Sequence, residues 1–247
     1  MKVVFLDIDG VLQPCSSQIR HQHIAETIEI ALKLNTSLHN GFDYLSFIQD
    51  GIEIKKDFKK YGRNCFDVAA VWFDWRKESV VLLKRLLDEE NAKIVLSSDW
   101  RNKGTVIMKA LLAIQGLDTY YYDSTMSFQN FSYADHYNVL EQWKPIDRII
   151  KSTISYTNDK VFYNERAGEI LEYLDRHKEI TSYVAIDDIN LSLGLGSHFV
   201  FSDEFLTKEN YNQMKNILKI EDGPYFLPDK VPRKQLEEWR LLAGLKA

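Results

Sequence analysis

Asp7-Ile8-Asp9-Gly10 sets two carboxylates one residue apart, directly after the short apolar run Val3 to Leu6. Two more pairs of polar residues follow apolar runs in the same way. Ser97-Ser98 comes after Lys93 to Leu96, and Asp187-Asp188 after Tyr183 to Ile186. An Asp-Gly turn alone is ordinary, because both residues favour turns. Brought to one point, however, three or four carboxylates cannot all stay ionised without a cation. With no His or Cys in reach, an all-oxygen ligand set selects Mg²⁺ over zinc. A carboxylate beside bound Mg²⁺ can attack a phosphoryl group, since the metal masks the repulsion between two anions. A serine hydroxyl and a basic side chain can then hold the transferring oxygens.

For that chemistry to exist, the fold must bring the three clusters together. The apolar runs read as strands buried on both faces, the kind found in a parallel sheet. Burying an unpaired carboxylate is costly, so the acids belong at the open strand ends, where ligands bind in open α/β sheets. Tyr120 to Tyr122 and Phe199 to Phe201 add two further strands. Helices are expected over Lys77 to Glu89 through Val80, Leu83, Leu86 and Leu87, over Val106 to Ile114 with Gly116 as a cap, and over Glu165 to Arg176. Ile24 to Leu34, through Ile24, Ile28, Ala31 and Leu32, and Phe42 to Ile48 read as helices within an inserted segment spanning about 13–76. A second irregular insertion covers about 124–160, with a helix over Val139 to Ile150. The fold class is therefore α/β, a parallel sheet with helices on both faces and an inserted, largely helical, cap-like segment. The catalytic core is expected over 1–220, and a Pro-rich linker and a short helix over 221–247. The mixed charges Glu53 to Lys60 read as a solvated face.

Composition narrows the function classes. The 247 residues, 45% of them hydrophobic, describe an ordinary globular chain. A net charge of −5 argues against a broad nucleic-acid footprint. Cys15 and Cys65 lack metal or disulfide spacing, which fits a reducing compartment. Met1-Lys2 leads straight into the first strand, and no apolar run approaches the roughly 18 residues of a membrane helix. The expected location is cytoplasmic, with no membrane segment. His21, His23, His136 and His198 read as structural, and Trp100 as packing.

The sequence resembles the haloacid dehalogenase (HAD) superfamily of aspartate-dependent phosphohydrolases. Asp7-Ile8-Asp9-Gly10-Val11 matches its first motif, Ile94-Val95-Leu96-Ser97 its second, Arg166 at the start of a helix its third, and Ile186-Asp187-Asp188 its fourth. The resemblance implies that Asp7 is the nucleophile and Asp9 the acid/base, with the Asp9 backbone carbonyl also a Mg²⁺ ligand. Ser97 would hold the phosphoryl group, with Ser98 its rival, and Arg166 would balance the charge, with Lys160 its rival. Asp188 would bind the metal directly. Asp187 would support it, coordinate through water, or act as a structural acid. More narrowly, Leu96-Ser97-Ser98-Asp99-Trp100-Arg101 with Arg166-Ala167-Gly168-Glu169-Ile170 is similar to a bacterial HAD subgroup sometimes associated with RNA end repair. Arg101 is either a substrate-phosphate contact or a salt-bridge partner.

A receiver domain would carry its acid pair and its phosphorylated Asp in the reverse order, and a glycosyltransferase would leave Ser97 and Asp187-Asp188 unexplained. A catalytically inactive HAD scaffold is the binding-module alternative. Among substrates, the acidic net charge favours a phosphoprotein over nucleic acid. The aromatics of the insertion (Phe42, Tyr44, Phe47, Trp72, Phe73 and Trp75, with Phe58, Tyr61 and Phe66) could line a slot for a phosphotyrosine ring, although core packing accounts for most of them. Nucleic-acid ends and small phosphorylated metabolites are the alternatives.

Overall fold

The computed structural model describes residues 1–49, 63–126 and 164–225. Five strands form one sheet: β1 (Lys2–Leu6), β2 (Ala92–Leu96), β3 (Tyr121–Ser124), β4 (Ser182–Asp187) and β5 (Phe199–Phe201). The order is β3-β2-β1-β4-β5 and each pairing is parallel. β1 is therefore central, with Leu6 in register with Leu96 on one side and Ile186 on the other.

Alternation along β1 builds two cores. Val4 and Leu6 face a large cluster with Leu83 and Leu87 of α4 (Lys77–Glu90), Met108 and Leu111 of α5 (Thr105–Ile114), and Tyr211 and Met214 near the C-terminal end of the described chain. Val3 and Phe5 face Ala167, Ile170 and Leu174 of α6 (Asn164–Arg176) and the short α7 (Ser192–Leu195). Tyr211 and Met214 belong to α8 (Lys208–Ile217), whose N-terminus carries a capping box between Thr207 and Asn210. α4 buries Val80, Leu83, Leu86 and Leu87, the stripe its spacing predicts, and stops where Asn91 turns left-handed at φ 48°.

The segment between β1 and α4 holds α1 (Thr27–Ser37), α2 (Tyr44–Gln49), α3 (Arg63–Ala69) and one π-helical turn, Ala70–Asp74. Its buried side chains, Ile30, Ala31, Leu34, Tyr44, Val68 and Val71 among them, belong to the same cluster as Leu6 and Leu96. The Tyr44 hydroxyl donates to the Ala110 carbonyl of α5 at 2.6 Å.

One expectation needs correction here. The first insertion helix is a 3-10 turn at Ile24–Glu26 running into α1 at Thr27. Of its expected stripe, Ala31 is buried and Ile24 packs against the core, but Ile28 and Leu32 face solvent, and Thr27, Ile30 and Leu34 take the inward positions. α1 has apolar residues on both sides, so spacing alone placed two of the four wrongly. The insertion aromatics are largely spent on packing. Phe42 meets Tyr44 and Phe47 edge to face, Trp75 is buried, and Trp72 and Phe73 pack against the core. The expected helix over 139–150, Lys160, the charges of 53–60, Phe58, Tyr61, His136 and the helix beyond 226 lie outside the described residues.

Candidate active site

Sheet hydrogen bonding continues one residue past β1 on both sides. The Asp7 amide donates to the Ile186 carbonyl at 3.1 Å, and the Ser97 amide donates to the Leu6 carbonyl at 2.9 Å. Asp7 is thereby fixed between the ends of β2 and β4, with its side chain 3% exposed. Beyond it the chain folds back sharply. The amides of Val11, Leu12 and Gln13 all converge on the Ile8 carbonyl at 2.9–3.2 Å. Gly10 makes this turn at φ +74°, and a Cβ there would lie 2.5 Å from the Cβ of Asp188. The first and fourth acid clusters are in contact because Gly10 has no side chain.

α6 delivers the cation. Arg166 Nη1 lies 2.9 Å from Asp187 Oδ2 and 3.2 Å from Asp7 Oδ1, and Nη2 lies 3.7 Å from Asp99 Oδ1. Two contacts seat this helix. Ala167 abuts Gly194, where an added Cβ would come within 2.6 Å, and Glu169 pairs with Arg101 at 2.7 Å with both side chains buried. Arg101 also donates to Thr125 Oγ1 at 3.0 Å. Arg101 is thus a salt-bridge partner of Glu169 in the structure.

The serines separate as well. Ser98 Oγ accepts from the Trp100 amide at 3.4 Å. Ser97 Oγ is buried and has no hydrogen-bond partner among the described residues. An unpaired buried hydroxyl costs free energy, and a polar ligand group beside Asp7 would satisfy it.

A family model for the HAD domain in Swiss Army Knife RNA repair proteins matches residues 3–210. The chain belongs to this family. No curated protein and no solved structure gives a significant match. Membership supports a hydrolase of the phosphatase type, and the match runs through both insertions.

The electrostatics of the HAD site fit a divalent cation. Carboxylate oxygens of Asp7, Asp187 and Asp188 lie within 4.8 Å of one another. Burial pushes the Asp7 carboxyl well above the ordinary carboxylate range and the Asp187 charge adds to it, while Arg166 opposes. Burial likewise lifts Asp187 to about 6 against the pull of Arg166. Burial works against a charged Arg166, but the charges of Asp7 and Asp187 outweigh it and hold the guanidinium protonated. Three carboxylates against one guanidinium leave the charge that one divalent ion cancels, and the oxygen-only donors match Mg²⁺. Asp187 is not free to serve the metal alone, since Arg166 takes Oδ2 and the Ile189 amide donates to Oδ1 at 2.8 Å. Asp188, half-exposed beside Gly10, has the more open carboxylate.

Three residues of the site escaped the sequence reading. Trp100 packs, as expected, but its Nε1 also donates to Asp9 Oδ2 at 3.0 Å. Gln13 Nε2 donates to Asp9 Oδ1 at 2.6 Å, a contact that depends on the turn at Gly10 and leaves no sequence signal. Glu169 was visible in the same matched segment as Arg166, one helical turn along, with Arg101 its opposite charge in the other segment. Of the histidines expected to be structural, His23 stacks on Phe73, His198 on Tyr183, and His21 contacts Phe66. None of the described helices is long and apolar enough to cross a membrane.

Proposed function

We propose that this chain is a Mg²⁺-dependent phosphomonoester hydrolase working through a phosphoaspartyl intermediate on Asp7. The observation that carries the reading is the convergence of Asp7, Arg166, Asp187 and Asp188 at the open end of β1 and β4, beside the unpaired hydroxyl of Ser97. Mg²⁺, held by Asp7, Asp188 and, through its support, Asp187, would neutralise phosphoryl oxygens as the anionic nucleophile approaches. Asp7 Oδ attacks phosphorus as the bond to the leaving oxygen breaks, and Asp9 gives its proton to that oxygen. Asp9, now ionised, takes a proton from water as the water oxygen attacks the phosphoaspartate and the P–Oδ bond breaks, releasing phosphate and restoring Asp7. Ser97 and Arg166 hold the phosphoryl oxygens throughout. Burial raises the Asp9 carboxyl above its ordinary range, with the Trp100 hydrogen bond opposing, which suits a residue that must carry a proton in the first step.

For the substrate class, a terminal phosphate on RNA is favoured. The family is described by its occurrence in RNA repair proteins. The phosphoprotein expectation rested on net charge, a whole-molecule property that constrains a long nucleic-acid footprint more than a single strand end. The insertion aromatics give it little support, since most of those described are occupied in packing. Asp7→Asn should abolish Mg²⁺-dependent hydrolysis of p-nitrophenyl phosphate, and EDTA should silence the wild type. A panel of RNA oligonucleotides with 3′ or 5′ phosphates, phosphotyrosine and phosphoserine peptides, and phosphorylated metabolites then ranks substrates by kcat/KM. Full activity in Asp7→Asn removes the nucleophile, and a preference for phosphopeptides reverses the substrate assignment.

A further inference from the structure

Asp9 is held by both of its carboxylate oxygens, each on a neutral N–H donor: Gln13 Nε2 at 2.6 Å and Trp100 Nε1 at 3.0 Å. Both donors stand on fixed supports. The Gln13 main chain is tied into the β1 turn, its amide donating to Ile8 at 3.0 Å and its carbonyl accepting from Gly10 at 2.6 Å. The Trp100 ring is buried against Trp75, with the Lys103 ammonium 4.9 Å above it. Its amide is capped by Ser98 Oγ at the end of β2.

Gln13 is 1% exposed, and its Oε1 has no partner among the described residues. Leaving a buried amide oxygen unpaired is a cost that an apolar residue of the same length avoids. Turning the amide over would set oxygen against carboxylate. The arrangement makes sense if the donor must face Asp9. Neutral donors also suit the task, because a Lys or Arg would fix Asp9 as the anion. One N–H per oxygen leaves a second lone pair on each oxygen for the travelling proton.

We propose that Trp100 and Gln13 are positioning residues that aim the Asp9 carboxyl at the leaving-group oxygen. This inference rests on the phosphohydrolase reading above. Their removal costs most where protonation of the leaving group matters most. The test compares kcat/KM for p-nitrophenyl phosphate, whose leaving group departs without protonation, with kcat/KM for an alkyl phosphate, whose leaving group needs the proton. In the full-length chain, Trp100→Phe and Gln13→Met keep the packing and delete the N–H. Each should lower the alkyl phosphate value roughly ten- to a hundredfold more than the aryl value. A loss shared equally by both substrates, or no loss on either, overturns the assignment. Thermal melts accompany each variant, and Gln13→Met, remote from the Trp75 contact, gives the same readout should Trp100→Phe fail to fold. Asp7→Asn separates the two layers. Activity persisting in Asp7→Asn sinks the phosphohydrolase reading, whereas a silent Asp7→Asn with uniform losses in the other two variants sinks the positioning role alone.

Discussion

Gly10→Ala tests whether the motif corner and the metal corner are one mechanical unit. Two costs are separable. An alanine at φ +74° pays about 1–2 kcal/mol for the left-handed backbone. Its Cβ would also lie 2.5 Å from Asp188 Cβ and 2.6 Å from Asp188 Oδ2, where carbon atoms normally stay about 3.5–4.0 Å apart. Asp188 must therefore withdraw by about 1 Å, and such overpacking typically adds about 1–3 kcal/mol. Gly41 provides the control. It has the same φ of +74°, but an added Cβ there meets nothing within 4 Å, so Gly41→Ala pays the backbone cost alone. Urea denaturation should show Gly10→Ala less stable than Gly41→Ala by about 1–3 kcal/mol. A Mg²⁺ titration of activity should show its half-saturation raised by about tenfold or more and its kcat lowered up to about a hundredfold, the scale expected of a 1 Å displacement at a reacting centre. Equal stabilities for the two variants, or a wild-type Mg²⁺ dependence in Gly10→Ala, would refute the coupling.

Other perturbations probe the supports of the site. Glu169→Ala leaves the buried Arg101 guanidinium without its counter-ion and should cost about 3–5 kcal/mol in urea denaturation; a loss below about 1 kcal/mol would show the pair to be incidental. Leu83→Ala should cost about 2–5 kcal/mol without altering Mg²⁺ half-saturation, whereas Leu32→Ser on the solvent side of α1 should stay within about 0.5 kcal/mol. The Asp43 carboxylate is held at about 2 by the Ser46 hydroxyl, the Ser46 amide and Asn35. Its folded pKa lies below the ordinary value of 3.8, so its contribution is complete above about pH 4 and is lost as pH falls towards 2. Asp43→Asn should flatten that acid limb of the stability–pH curve, and an unchanged limb would assign it to other groups.

The parts of the site that were legible in the sequence are those dictated by local chemistry. An apolar run that ends in acids has few places to go other than a buried strand with an open end, and β1, β2 and β4 follow that rule. The inward stripe of α4 could be read because Val80, Leu83, Leu86 and Leu87 keep the helical period, although Val81 on the other side is exposed. α1 could not, since Ile28 and Leu32 match the period as well as Ile30 and Leu34 do, and only the partner surface chooses between them. Contacts created by the turn were invisible in principle: Gln13 reaches Asp9 because Gly10 reverses the chain. Trp100 was visible but assigned half its role, because an indole buries its ring and offers its N–H with the same side chain.

The shared core beneath the inserted helices bears on the kinetics of turnover. To swing away as a lid, α1 and α2 would have to uncover Ile30, Leu34 and Tyr44 and break the Tyr44–Ala110 hydrogen bond. Each large apolar side chain exposed costs roughly 1.5–3 kcal/mol. Three of them, with the lost hydrogen bond, put such an opening several powers of ten below the closed population. Detachment of α1 and α2 from the sheet is therefore too rare to serve as a step of each turnover.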